Sequence, residues 1–291
     1  MNYPHRPVRI GERDAALVRA LKHRLNEALG LHGAAALDIG DPAFGPRMRN
    51  AVRLFQERHV DTQGRPLVQD GNVGVLTWAA LFGAASVAPR TPSMPPLLAR
   101  AVQIAGVAAD RGVREMPRNS NRGPEVDEYL RRTGTPPGHA WCCAFVYWCM
   151  DEAASALGID NPMVRTAGCL KHWQRAEAHG ATRLLARDAR RDVSLVQPGM
   201  MFIIDHRKGL GHTGLIERVE AGLLHTIEGN TDASRTREGG GVYRLVRKVG
   251  EINRGFIAYR ARAALGSLCV SDGARGVDRL QAAPMQCLPQ T

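Results

Sequence analysis

The chain of 291 residues has no apolar run long enough to span a bilayer, and Met1 to Arg13 carries charges without the apolar stretch of a signal peptide. That reads as a protein made in the cytoplasm, which reaches any target beyond the inner membrane by release or delivery. No CxxC pair occurs, so the six cysteines (Cys142, Cys143, Cys149, Cys169, Cys269 and Cys287) lack the spacing of a structural zinc site. The first three crowd one segment of a long chain, which also excludes a small secreted disulfide framework. Cys269 and Cys287 can pair only in an oxidising compartment. An acidic loop with alternating carboxylates is missing, so no metal and no cofactor is expected. Excess acid is lacking too. Lysine and arginine bring the formal charge to +11, which suggests an anionic partner: nucleic acid, a membrane surface or acidic polymers of a cell envelope. The basic residues are scattered except at Arg183, Arg187, Arg190 and Arg191, and no nucleic-acid module accompanies them.

What is present suffices for about two domains with proper cores. Asp14 to Leu29 has Val18, Leu21, Leu25 and Leu29 at helical spacing and Gly30 as a stop. Two similar units follow. Asp41-Pro42-Ala43-Phe44-Gly45 leads into a helix carrying Met48, Val52 and Phe55, and Asp70-Gly71-Asn72-Val73-Gly74 into one carrying Trp78 and Leu81. Three short helices form a small bundle in which Phe55 and Trp78 read as core. Pro89, Pro92, Pro95 and Pro96 mark a semi-extended linker over 84–96. A helix from Leu97 to about Arg111, a loop at Asn119–Pro124 and a helix from Glu125 to Arg132 come next. Beyond residue 200 the apolar runs shorten to strand length, and helices followed by strands indicate α+β architecture with an antiparallel sheet. Weak periodicity from 263 to 291 reads as a partly disordered tail.

The stretch His139-Ala140-Trp141-Cys142-Cys143-Ala144-Phe145-Val146-Tyr147-Trp148-Cys149 runs from a loop into an apolar helix that continues to about Leu157. A cysteine in the first helical turn meets unpaired N–H groups and the positive end of the helix dipole, both of which favour a thiolate. A buried, inert cysteine is the competing reading. Cys149, Tyr147 and Trp148 read as packing residues. Downstream, Glu220-Ala221-Gly222 predicts a hairpin turn that brings His212 opposite Glu228 and Asn230. Those two residues share a face in an extended chain. A carboxylate or carboxamide on one imidazole nitrogen leaves the other free to take the thiol proton. Gly211, Gly214 and Gly229 are read as leaving room for a substrate chain. His225 has the wrong parity, His139 and His206 are weaker rivals, and Asp205 ranks below Glu228 as the orienting group.

Two resemblances follow from these residues. Phe44-Gly45, Ala51-Val52-Arg53-Leu54-Phe55-Gln56 and Asp70 to Leu81 resemble the peptidoglycan-binding domain of cell-wall hydrolases. Trp141-Cys142-Cys143-Ala144-Phe145-Val146, Gly211-His212-Thr213-Gly214 and Ile227-Glu228-Gly229-Asn230-Thr231 resemble the CHAP family of cysteine- and histidine-dependent amidohydrolases and peptidases, from about Leu98 to Arg260. Cys143 and Met200 stand where the family has Ala and Asp. The resemblance implies a papain-like fold, with Cys142 as nucleophile, His212 as base and then acid, Glu228 orienting His212, and Asn230 in support. The backbone N–H of Cys142 is a reasonable oxyanion donor.

The expected organisation is a peptidoglycan-binding domain over 1–83, a linker over 84–96, a CHAP-like catalytic domain over 97–262 and a tail over 263–291. The expected activity is cleavage of a peptidoglycan amide bond, as an N-acetylmuramoyl-L-alanine amidase or a stem or cross-bridge endopeptidase. An endolysin-like monomer is favoured, with peptidoglycan and anionic envelope polymers as partners and no specific nucleic acid. A secretion-delivered effector and a non-enzymatic wall-binding protein are the alternatives.

Overall fold

A computed structural model describes residues 1–88, 94–235 and 239–259. Pro89 and Pro92 of the expected linker, the expected tail, and Cys269 and Cys287 lie outside the described residues. Local chemistry sets the N-terminal helices. Helix α1 (Ala15–Leu29) starts where Asp14 Oδ1 accepts from Leu17 N at 3.0 Å and ends at Gly30, whose φ of 62° suits a residue without a side chain. Helix α2 (Pro46–Arg58) has proline in its first turn, where a missing N–H costs nothing. Helix α3 (Val75–Phe82) follows Gly74. Buried Gln56 ties the two: its amide donates to Asp70 Oδ1 (3.0 Å) and Asn72 O (2.9 Å) and accepts from Gly71 N (2.9 Å). Leu21, Leu25, Val52, Phe55, Trp78 and Leu81 are buried together.

Helices α4 (Pro96–Asp110), α5 (Pro124–Thr133) and α6 (Cys142–Ala156) then precede the sheet. Its six strands are β1 (Thr182–Leu185), β2 (Met201–Arg207), β3 (Leu210–Glu220), β4 (Leu223–Thr231), β5 (Gly241–Lys248) and β6 (Gly255–Ala258). Every pairing is antiparallel, in the order β1-β6-β2-β3-β4-β5. The fold is α+β and papain-like, preceded by helices. The periodicity did not disclose α7 (Cys169–Arg175), α8 (Ala186–Arg191) or β1, because elements of seven, six and four residues are too short to show a period. The basic cluster is dispersed: Arg183 pairs with Glu177, Arg190 donates to Ile252 O at 2.9 Å, and Arg187 sits beside Asp188.

Strand alternation gives the sheet two buried faces. Met201, Ile203, Leu215 and Ile227 join α4, α5 and α6 in one apolar cluster. Phe202, Ile204, Ile216 and Leu224 join the core of the N-terminal helices in another. Polar contacts reinforce that second junction: Lys248 Nζ donates to Pro66 O at 2.5 Å and lies 3.3 Å from buried Asp61, and Arg65 reaches Glu251 at 3.4 Å. No described helix is long and apolar enough to cross a membrane.

Candidate active site

Cys142 is the first residue of α6, and its backbone N–H, like the others of that turn, has no carbonyl within the helix to bond. The residue before it, Trp141, is fixed by burial and by an Nε1–H that donates to Glu115 Oε1 at 2.8 Å. Glu115 lies in the stretch after α4, so the approach to the helix start is anchored from outside it.

The imidazole comes from β3. His212 is buried at 2 % exposure, and its Nε2 lies 2.7 Å from Oε2 of Glu228, which is fully buried on β4. The ladder explains the reach. Leu215 pairs with Ile227, so the next step sets Gly214 against Glu228. A Cβ at Gly214 would stand 2.6 Å from Glu228 Cγ, and its absence lets the carboxylate cross toward His212. The three glycines read as making room for substrate make room for the protein's own side chains instead. The space beside Gly229 is filled by Trp141 and Phe145, which a Cβ there would meet at 2.7 and 2.9 Å, and a Cβ at Gly211 would stand 3.0 Å from Cys169 Cβ.

Arg247 on β5, which the sequence reading did not single out, grips the same carboxylate. Its Nε donates to Glu228 Oε1 at 2.7 Å and its Nη2 to Oε2 at 2.6 Å, while Thr226 donates its hydroxyl to Oε1. A buried carboxylate alone is strongly disfavoured, but a bidentate guanidinium supplies both charge and directed donors. Burial pushes the Glu228 carboxyl up, yet Arg247 and His212 outweigh it and hold it at about 2. Burial pulls the His212 ring down, yet Cys142 and Glu228 beside it push it up to about 9. The Nδ1 of His212 is buried without a conventional partner. It is the nitrogen left for Cys142, whose thiol is near enough to shift the ring. Contact with Cys169 and burial push the Cys142 thiol up, while His212 pulls it down.

Asn230 is also fully buried, but its position differs from that of Glu228. The ladder shifts register between Glu228 and Thr231, and Asn230 takes a φ of 57° there. Its amide donates to Asn121 Oδ1 at 3.0 Å, and Asn121 O in turn accepts from Gly138 N at 3.0 Å, four residues ahead of Cys142. The site thus pairs His212 with Glu228 beside Cys142 at the start of α6, with Asn230 joined to the adjoining loop.

The rivals are engaged elsewhere. His139 Nδ1 lies 3.1 Å from Pro136 O, His225 pairs with Glu220 at 3.4 Å, Asp205 accepts from Arg207 N at 2.7 Å, and His206 is exposed. Cys143 points away: its thiol is 3.4 Å from Thr166 O and 3.5 Å from His172 Nδ1. Cys149, Tyr147 and Trp148 pack in the helical core. Among the described residues no group of three or more His, Cys, Asp or Glu is placed to hold a metal ion.

Compared with known proteins, residues 134–230 match the model of the CHAP domain. Domains of this kind are typically cysteine- and histidine-dependent amidohydrolases or peptidases, which makes peptidoglycan the substrate class the match points to. No curated protein and no solved structure matches the chain.

Proposed function

We propose, from the premise that the chain carries a CHAP domain, that it hydrolyses an amide bond of peptidoglycan through a thioester on Cys142. The observation that carries the reading is the polarity of His212: Nε2 is bound to an ionised carboxylate, and Nδ1 is left for a cysteine at a helix start. Glu228 fixes the ring and stabilises its charged form, so the Cys142 proton resides on Nδ1 as the sulfur attacks the carbonyl carbon. The resulting oxyanion lies within the reach of the Cys142 N–H. Collapse breaks the C–N bond, and the leaving nitrogen takes the proton from His212. A water then gives its proton to the same ring and attacks the thioester, releasing the carboxylate and restoring the thiol. Asn230 supports the site through Asn121, whose carbonyl holds Gly138 on the approach to Trp141 and Cys142.

Residues 1–83 supply wall binding in this reading, supported by their resemblance to a peptidoglycan-binding domain. The surplus of positive charge favours approach to an anionic envelope. Binding to the polymer raises the local concentration of scissile bonds. The test is mass spectrometry of the soluble products from purified sacculi. Free stem peptides identify an N-acetylmuramoyl-L-alanine amidase, and new peptide amino groups identify an endopeptidase. New reducing sugar ends would contradict amide cleavage altogether.

A further inference from the structure

We infer that Cys142 and Cys169 form an oxidation site at which a hydroperoxide closes a disulfide across the nucleophile, with Cys169 as the resolving thiol. This rests on the catalytic reading of Cys142 and concerns the regulation of that same site.

The two sulfurs come from different helices, α6 and α7, and lie 3.5 Å apart, both buried. A disulfide has an S–S length of about 2.05 Å, so the sulfurs must close by roughly 1.5 Å, within the range of side-chain rotation. The strand that carries His212 is cut back to admit Cys169. Gly211 stands immediately before His212, and a Cβ there would come within 3.0 Å of Cys169 Cβ and 3.1 Å of Ile204 O. The hydrolytic steps do not use Cys169. Its neighbour Cys143 is also close to it, but the Cys143 sulfur already contacts Thr166 O and His172 Nδ1. Cys142 alone among these thiols faces an imidazole backed by a carboxylate, and it must be reachable by a substrate carbonyl, hence by a small peroxide.

The chemistry balances in two steps. The Cys142 thiolate attacks one peroxide oxygen, forming an S–O bond and breaking the O–O bond. Sulfur is oxidised by two electrons, and the departing alkoxide or hydroxide takes the proton held on His212. The Cys169 thiol then attacks the sulfenic sulfur. The S–S bond forms, the S–O bond breaks, and the leaving hydroxide takes the Cys169 proton to become water. Two thiols and one hydroperoxide thus give one disulfide, one alcohol or water, and a second water. The disulfide removes the nucleophile reversibly and keeps Cys142 from the sulfinic state, which a dithiol does not reverse.

The test uses the full chain and its Cys169→Ser variant, each compared with its own reduced activity on sacculi, with hydrogen peroxide as the probe. Peptide mapping without reduction locates the bond, which matters because the sequence has cysteine at 269 and 287 as well. The wild-type chain is expected to yield a Cys142–Cys169 peptide, to lose activity by at least about tenfold and to regain it with dithiothreitol. In Cys169→Ser, Cys142 is expected to gain two oxygens and activity to stay lost after reduction. Sulfinic acid at Cys142 of the wild-type chain, or a bond joining Cys143 to either neighbour, would overturn the inference. Failure of the catalytic reading is separate: a reduced chain that cleaves sacculi equally well with Cys142 replaced by alanine sinks that reading whatever the map shows.

Discussion

Cys142 and Cys143 are adjacent in α6, and each lies beside a different buried histidine. His212 stands by Cys142, and His172 lies 3.5 Å from the Cys143 sulfur. The two rings differ in what holds the far nitrogen. His212 Nε2 meets the Glu228 carboxylate at 2.7 Å, whereas His172 Nε2 meets the Tyr259 hydroxyl at 2.7 Å. A carboxylate stabilises imidazolium; a neutral hydroxyl leaves burial unopposed. Cys142 and Glu228 together push His212 up to about 9 against burial, whereas burial pulls His172 down to about 3. In the proposed mechanism a thiol–imidazole contact alone does not make a nucleophile; the ring also needs an anionic partner. What sets His212 apart is the Glu228 carboxylate on its far nitrogen, gripped in turn by Arg247.

Breaking the carboxylate partner is the most damaging way to erase this difference. Glu228→Gln should lower kcat/KM on sacculi by roughly 10²–10⁴, from the usual range of general acid–base catalysis up to the loss seen when the imidazole partner of a Ser-His-Asp triad is mis-set. Tyr259→Phe should leave kcat/KM within about threefold, since no transition-state contact is removed. Steady-state kinetics on the two variants checks the asymmetry.

Arg247→Met leaves Glu228 as a buried carboxylate with only the imidazole to balance it, and urea unfolding should show a loss of about 3–5 kcal/mol. Adding Glu228→Gln to that variant should recover part of the loss, because the uncompensated charge is gone. Strictly additive losses would show that the pair is not coupled.

The two rings should also leave opposite marks on the pH dependence of stability. His212 has a folded value of about 9, above the ordinary 6.5, so its contribution is full below 6.5 and fades as pH rises through about 9. His172 has a folded value of about 3, below the ordinary 6.5. Below 6.5 the unfolded chain takes up a proton that the folded chain refuses. Stability is therefore lost as pH falls from 6.5 toward 3, at up to about 1.4 kcal/mol per pH unit. Unfolding His172→Phe across this range should give a flatter acid slope, and an unchanged slope would mean that the ring is already charged in the fold.

How far the site could be read beforehand follows the range of the interactions. Cys142 at a helix start and His212 beyond a hairpin are marked by local signals: a loop-to-helix transition, a turn tripeptide and strand parity. Parity failed to describe Asn230, because a register shift after Glu228 breaks the alternation on which it depends. Arg247 was not legible. It is one arginine in a basic chain, and its meaning comes from the β4–β5 register, which places Tyr243 against Glu228 and Arg247 against Leu224. Glu115 and Cys169 were hidden for the same reason, since each acts on the site from a segment with no period of its own. The glycines were recognised as special positions, but only the structure shows which side chains fill the space beside them. Likewise, the helical spacing marks Trp78 and Leu81 as the apolar side of α3. It does not show that the hairpin tip at Gly222 presses on Val75, with a virtual Cβ at 2.3 Å.

The most direct test of the account sets the adjacent thiols against each other. Cys142→Ala and Cys143→Ala are assayed for release of soluble fragments from sacculi, with pelleting of the same variants to measure wall binding. Cys142→Ala is expected to bind the wall but release nothing, and Cys143→Ala to release fragments at close to the wild-type rate. Normal release by Cys142→Ala, or loss of release confined to a folded Cys143→Ala, would contradict it.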